Sequence, residues 1–214
     1  KSILLNMFFG VRLNAANGIA STVSSQVNTV STSMTKAIRP QLIKSEGSGN
    51  RIKMLRITEI STKYSIFLFA LFAIPVIIEL PYLLDIWLKE IPAYSIVFCR
   101  LILVGLFVDK LSFEIGAAIS AVGNIRSMSI AETIVILLAV LVSYVFFKHG
   151  YPPYTIFIVN ILFSFVVFLF RLYFGKSIAE LNILNFLKNS IFPVVGPVLI
   201  TYILALLPQL FIPE

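Results

Sequence analysis

Long apolar blocks separated by short polar breaks dominate the chain, and residues 65–78, 134–147 and 155–170 are almost free of charge. A helix needs about 20 mostly apolar residues to cross the hydrocarbon core of a bilayer, and these blocks reach that length once their weakly polar flanks are counted. The strands of a transmembrane barrel would instead alternate over short segments. The pattern predicts an all-α polytopic bundle with membrane helices at about 11–38, 64–84, 94–122, 128–147, 154–174 and 191–214. Residues 1–10 read as the end of a truncated transmembrane helix stopping at Gly10, so the chain is expected to be a fragment. In residues 175–190, Ile178, Leu181, Leu184 and Leu187 recur at three-residue steps, which suits an amphipathic segment on the cytoplasmic face.

Composition strengthens the membrane reading. Hydrophobic residues make up 58% and charged residues 13%, with a mean hydropathy of +0.96, whereas a soluble domain carries about a quarter charged residues. The net charge of +7 would suggest nucleic acid in a soluble protein. Here the cations sort by side. Under the predicted topology alternate loops hold eleven Lys and Arg on one face and two on the other. That bias predicts a cytoplasmic basic loop carrying Lys36, Arg39, Lys44, Arg51, Lys53, Arg56 and Lys63, and no nucleic-acid partner.

Residues 11–38 are the most informative stretch. Ala16, Ile19, Val23, Val27, Val30, Met34 and Ile38 mark one apolar face. Asn14, Asn17, Ser21, Ser24, Asn28 and Ser31 run along the other. A helix this polar is costly against lipid tails, so the stripe either packs on another helix through small polar residues or lines a hydrophilic cavity. Arg12, at the start of the helix, either snorkels to the interface or contacts an anion at the cavity mouth.

The 94–122 span carries Arg100, Asp109, Lys110 and Glu114 in otherwise apolar sequence. An isolated charge at mid-membrane costs on the order of 3 kcal/mol on insertion scales, so such residues usually face a bundle interior or an aqueous path. Lys110 and Glu114 are four apart and can neutralise each other on one helix face. Asp109 has no opposite charge one turn away and is the better candidate for a protonation switch; both acids are candidate ion-coupling groups.

Catalytic chemistry finds no foothold. No HExxH, GxSxG, P-loop or dinucleotide-binding glycine signature occurs. One histidine and one cysteine leave almost no ligands for a metal, so no metal, no cofactor and no enzymatic activity are expected.

The stretch NMFFGVRLNAANGIASTVSSQVNTVSTSMTKAIRPQLIKSEGSGN at residues 6–50 resembles polysaccharide biosynthesis proteins of the superfamily that includes lipid-linked oligosaccharide flippases and multidrug exporters. The resemblance continues through LPYLLDIWLKEIPAY, CRLILVGLFVDKLS and the AVGNIR turn, and beyond about residue 154 only the hydropathy agrees. It implies the second lobe of a two-lobed exporter of the bacterial inner membrane, with a missing N-terminal lobe as partner. It further implies flipping of an undecaprenyl-pyrophosphate-linked oligosaccharide for surface polysaccharide such as O-antigen, with cation-coupled multidrug efflux as the alternative. On that expectation the substrate-binding positions are Arg12, Asn14, Asn17, Ser21, Ser24, Asn28, Arg100 and Lys110. Related sequences carry an arginine where Asn17 stands, and Arg12 is the candidate to replace it.

Overall fold

The computed structural model describes residues 1–211, with side chains through residue 206. It is 87% helical with no strand among the described residues. The helices are α1 (Ser2–Phe9), α2 (Val11–Gly47), α3 (Arg51–Ile78), α4 (Leu80–Trp87), α5 (Ser95–Lys110), α6 (Phe113–Val122), α7 (Arg126–Lys148), α8 (Thr155–Ala179), α9 (Ile183–Phe186) and α10 (Phe192–Phe211). A single π-turn, Leu187–Ile191, joins the last two. Among the described residues, four helical stretches are long and apolar enough to cross a membrane: Arg51–Ile78, Arg126–Lys148, Thr155–Ala179 and Ile183–Leu206. The protein is an all-α bundle whose outer surface along α7 and α8 is apolar, with Ile136, Leu141, Leu162 and Leu169 all exposed.

Three clusters of packing position the interior. At one end Leu5, Ala16, Ala20, Leu80, Leu84, Phe98 and Phe157 cluster, joining α1, α2, α4, α5 and α8. At the other, Leu42 and Met54 of the α2–α3 hairpin meet Ala118 of α6 and Ala179 of α8. Between them Val27, Phe69, Ala73 and Leu103 tie α2, α3 and α5 together. The left-handed Gly10 (φ 80°) makes the turn from α1 into α2, a conformation that costs glycine nothing.

Four predicted boundaries are corrected. The span at 94–122 is two helices, α5 and α6, separated at Leu111–Ser112. There the last turn of α5 tightens, with Leu111 N–H on the Val108 carbonyl at 3.2 Å and Ser112 N–H on Asp109 at 3.3 Å. The chain restarts from Ser112, a residue type that favours helix starts over interiors. The basic loop is mostly helix: α2 runs to Gly47 and α3 begins at Arg51, leaving only residues 48–50 as a turn. Lys, Arg, Glu, Gln and Leu are good helix formers, and the Asn50 side chain caps α3 by accepting from Lys53 N–H at 3.0 Å.

The 64–84 span likewise ends early, at Ile78, and α4 forms a separate helix with Pro81 in its first turn, where a missing N–H is harmless. Finally, residues 175–190 are not one surface helix. α8 continues to Ala179, and Glu180, in the left-handed region at φ 60°, turns the chain before α9 begins. That break resets the helical phase, so Leu181 and Phe186 are buried while Leu184 is 78% exposed. The predicted last span coincides with α10, and its residues 212–214 lie outside the described residues.

Candidate functional site

α2 is 37 residues long, about 55 Å at 1.5 Å per residue, and it is polar on both its packed and its exposed sides. The packed face is small and polar: Asn17, Ser24, Ser31 and Thr35 are buried alongside Ala16, Ala20 and Val27, where α2 lies against α3 and α5. Asn17 Nδ2 donates to the Ser2 hydroxyl at 3.2 Å. Among the described residues, Ser24 Oγ and Asn28 Oδ1 are buried with no hydrogen-bond partner.

The opposite face is exposed and also polar. Gly18, Ser21, Thr22, Ser25, Gln26, Thr29 and Ser33 all point away from the bundle. Its hydroxyls bond back to their own helix: Thr22 donates to the Gly18 carbonyl at 3.1 Å, Ser25 to Thr22 at 2.8 Å, Thr29 to Ser25 at 2.8 Å and Ser33 to Thr29 at 2.8 Å. These bonds use the hydroxyl protons and leave the oxygens as acceptors along the helix.

A second polar assembly surrounds Phe113, at the break between α5 and α6. Three cations face its ring: Arg39 at 5.1 Å, Lys110 at 5.7 Å and Arg171 at 6.0 Å from the centroid. Lys110 is buried (4% exposed) and its Nζ also lies 5.7 Å from the Phe69 ring. Three carboxylates balance them. Glu132 accepts from Arg171 Nε at 2.7 Å. Asp109 lies in the fields of Arg171 and Lys110, and Glu114 in those of Arg39 and Lys110. Only the Arg171–Glu132 pair of these is in direct contact among the described residues. Opposite charges gathered in a low-dielectric interior attract strongly, which lets the bundle hold all six without a net charge.

One side of this assembly opens into a cavity of about 430 Å³ between α5, α7 and α8, lined by Asp109, Glu132, Asn160, Ser164 and Arg171 among apolar side chains, with Lys1 at its edge. Asn160 Nδ2 donates to the Ile156 carbonyl at 2.5 Å, so its amide oxygen is left to accept. Asp109, Ser164 and Asn160 therefore offer oxygens to whatever enters.

The predicted site residues fall into separate places. Arg12 and Ser21 are exposed on α2, Asn14 and Asn28 are half-buried, and Asn17 and Ser24 pack inward. Arg100 is exposed, and its Nε donates to the Ile77 carbonyl at the end of α3 at 3.1 Å. Arg100 and Lys110 sit about 15 Å apart along α5. Arg12, Arg100 and Lys110 are therefore not one cationic cluster. Lys110 and Glu114, expected to pair along one helix, lie on either side of the break and make no ion pair among the described residues.

Arg39, Phe113, Glu132, Asn160, Ser164 and Arg171 are the residues sequence reasoning missed. Glu132 carried a signal, since it falls inside a predicted span where a charge asks for a partner, whereas Arg171, near the end of its predicted span, counts among the loop cations. Arg39 was assigned to a loop because the helix was ended too early. No three metal-ligating side chains come together among the described residues. No family model, curated protein or solved structure matches the chain.

Proposed function

We propose that the protein is a membrane transporter that moves an undecaprenyl-pyrophosphate-linked oligosaccharide across the bacterial inner membrane for surface polysaccharide assembly. The observation that carries the reading is the exposed Ser/Thr/Gln face of α2, which runs from Gly18 to Ser33 beside the exposed Val30. Lipid tails offer such a face no partners, so it belongs beside water or a hydrated substrate. Hydroxyl oxygens at one-turn intervals suit the many hydroxyl donors of a sugar chain. The resemblance over residues 6–50 falls on this same helix and supplies the substrate class. In this reading a second lobe faces α2 across the path, Arg12 and Arg100 are the accessible cations for pyrophosphate, and Asp109 in its cavity is the ion-coupling group.

Efflux of a cationic compound is the second reading, favoured by Asp109 and Glu132 in the wall of the 430 Å³ cavity. Complementation separates the two. The full-length gene is placed in a bacterium lacking its O-antigen flippase, and surface glycan and resistance to cationic dyes are both measured. Restored glycan supports flipping. Dye resistance without glycan supports efflux.

A further inference from the structure

Arg51, Arg100 and Arg171 each donate Nε–H to a carboxylate or carbonyl oxygen, at 2.7, 3.1 and 2.7 Å. Arg39 of α2 does not. Among the described residues its Nε is buried with no hydrogen-bond partner, and its guanidinium makes no ion pair. The Phe113 ring, 5.1 Å away, anchors the guanidinium but offers it no oxygen. A guanidinium partly cut off from water and given no acceptor is costly, and an anion brought to it relieves that cost.

Space for an anion adjoins it. A gap of about 220 Å³ lies between Arg39, Leu42 and Ile43 of α2 and Ala117, Ser120 and Ala121 of α6, and among the described residues Arg39 is the one charged side chain in its wall. The gap is smaller than the roughly 300–1,000 Å³ of a pocket for a drug-sized ligand, so it suits one oxyanion and its ester link rather than a sugar chain. The planar fork of arginine matches carboxylate and phosphate alike. Position decides between them. Arg39 lies about 42 Å along α2 from Val11, farther than the roughly 30 Å of a hydrocarbon core, and the start of α2 packs at the other end of the bundle with Leu80, Leu84 and Phe98. Around Arg39, Lys36, Lys44, Lys53 and Arg56 are exposed on α2 and α3. Cations gathered at a membrane surface draw anionic lipid headgroups.

We propose that the gap between α2 and α6 is a binding site for the phosphate group of a membrane lipid, held by the Arg39 guanidinium. Leu42, Ile43 and the two alanines then flank the ester link. The site lies beyond the Gly18–Ser33 face of α2, and it does not depend on what the protein transports.

The test is native mass spectrometry of the full-length protein in detergent. Dioleoyl phosphatidic acid is the probe, dioleoylglycerol is the same lipid without phosphate, and inorganic phosphate is the free anion. Phosphatidic acid should be retained, dioleoylglycerol should not, and inorganic phosphate at the same concentration should displace neither. Arg39→Gln should weaken retention about tenfold, as for loss of a hydrogen bond to a charged group. Arg39→Lys, which keeps the charge and loses the fork, should fall between. Ser120→Leu fills the gap from α6 and leaves Arg39 in place, so it should weaken retention as much, and it decides the matter where Arg39→Gln fails to fold. Lys53→Gln, at an exposed cation outside the gap, should change nothing. Equal retention of dioleoylglycerol, displacement by inorganic phosphate, or unchanged retention in Arg39→Gln or Ser120→Leu overturns the site. So does a loss in Lys53→Gln equal to that in Arg39→Gln, which would mean diffuse attraction to the basic surface. Because binding and not transport is read, failure here is separable from failure of the transporter reading.

Discussion

Arg171 and Glu132 join α8 to α7 across 39 residues of sequence through a 2.7 Å hydrogen bond, with side chains only 14% and 21% exposed. Removing the carboxylate leaves a guanidinium that already has one buried, unpaired nitrogen, Nη1. Glu132→Ala is expected to destabilise the bundle by about 3 kcal/mol, the low end for breaking a buried pair. Thermal unfolding in detergent checks this, and Glu132→Ala with Arg171→Met should recover part of the loss. Equal melting of Glu132→Ala and the native protein would show that the pair carries no stability.

Much of this architecture was legible in the sequence. Apolar blocks located α7, α8 and α10 closely because each is a continuous run with little else to compete. Polar residues on α2 marked it as unlike the other helices, and the structure places them on both its packed and its exposed sides. What hydropathy could not show was where helices stop for reasons other than membrane thickness. α2 and α3 extend through Lys44 and Arg51 because helix propensity does not end at the bilayer surface. The Leu111–Ser112 break lies between Asp109 and Lys110 on one side and Glu114 on the other, where the charges drew attention but nothing in the hydropathy marks a helix end. The charged assembly was half visible: Asp109, Lys110 and Glu114 stood out within one span, but their partners come from three other helices. Pairing across helices is a tertiary fact that no spacing along one helix encodes.

Arg100 and Lys110, both expected cavity cations, should now behave differently. Lys110→Ala removes a buried cation from between Asp109 and Glu114 and two aromatic rings, so the amount of folded protein should fall. Arg100→Ala gives up one exposed hydrogen bond to the Ile77 carbonyl, worth roughly 1 kcal/mol, and protein levels should hold. If Arg100 binds pyrophosphate, surface glycan nevertheless drops in Arg100→Ala. Membrane fractionation beside glycan staining reads both quantities. Normal glycan with normal protein would remove Arg100 from the anion-binding set.

Gly175 tests the close approach of α6 and α8. A Cβ there meets Ile115 Cγ2 at 2.7 Å and Leu181 Cδ2 at 3.2 Å, so Gly175→Ala overpacks the contact and should cost about 1–3 kcal/mol. Gly18 is the control, because a Cβ there meets nothing within 4 Å and Gly18→Ala gains helix propensity of up to about 1 kcal/mol. Opposite shifts in detergent melting temperature are expected. Adding Ile115→Ala to Gly175→Ala should return part of the loss by removing the methyl that is struck.

The exposed polar face of α2 makes the most direct claim about surroundings. Thr22, Ser25, Thr29 and Ser33 are exposed at successive turns, and a face beside water must admit a hydrophilic thiol reagent. Cysteine placed at each of the four, in a chain with Cys99→Ser, should be labelled in intact membranes by a charged maleimide. Cysteine at Leu141 or Leu162, exposed on the apolar surface of α7 and α8 at 60% and 62%, should resist, because thiolate and reagent are both excluded from hydrocarbon. The contrast is what matters: both sets are exposed on the bundle, and only the medium against them differs. Uniform protection of the α2 positions would mean that another helix or lipid covers the face, and the hydrated path would have to lie elsewhere. Labelling at all four turns, blocked by an added soluble oligosaccharide, would place the sugar on this face.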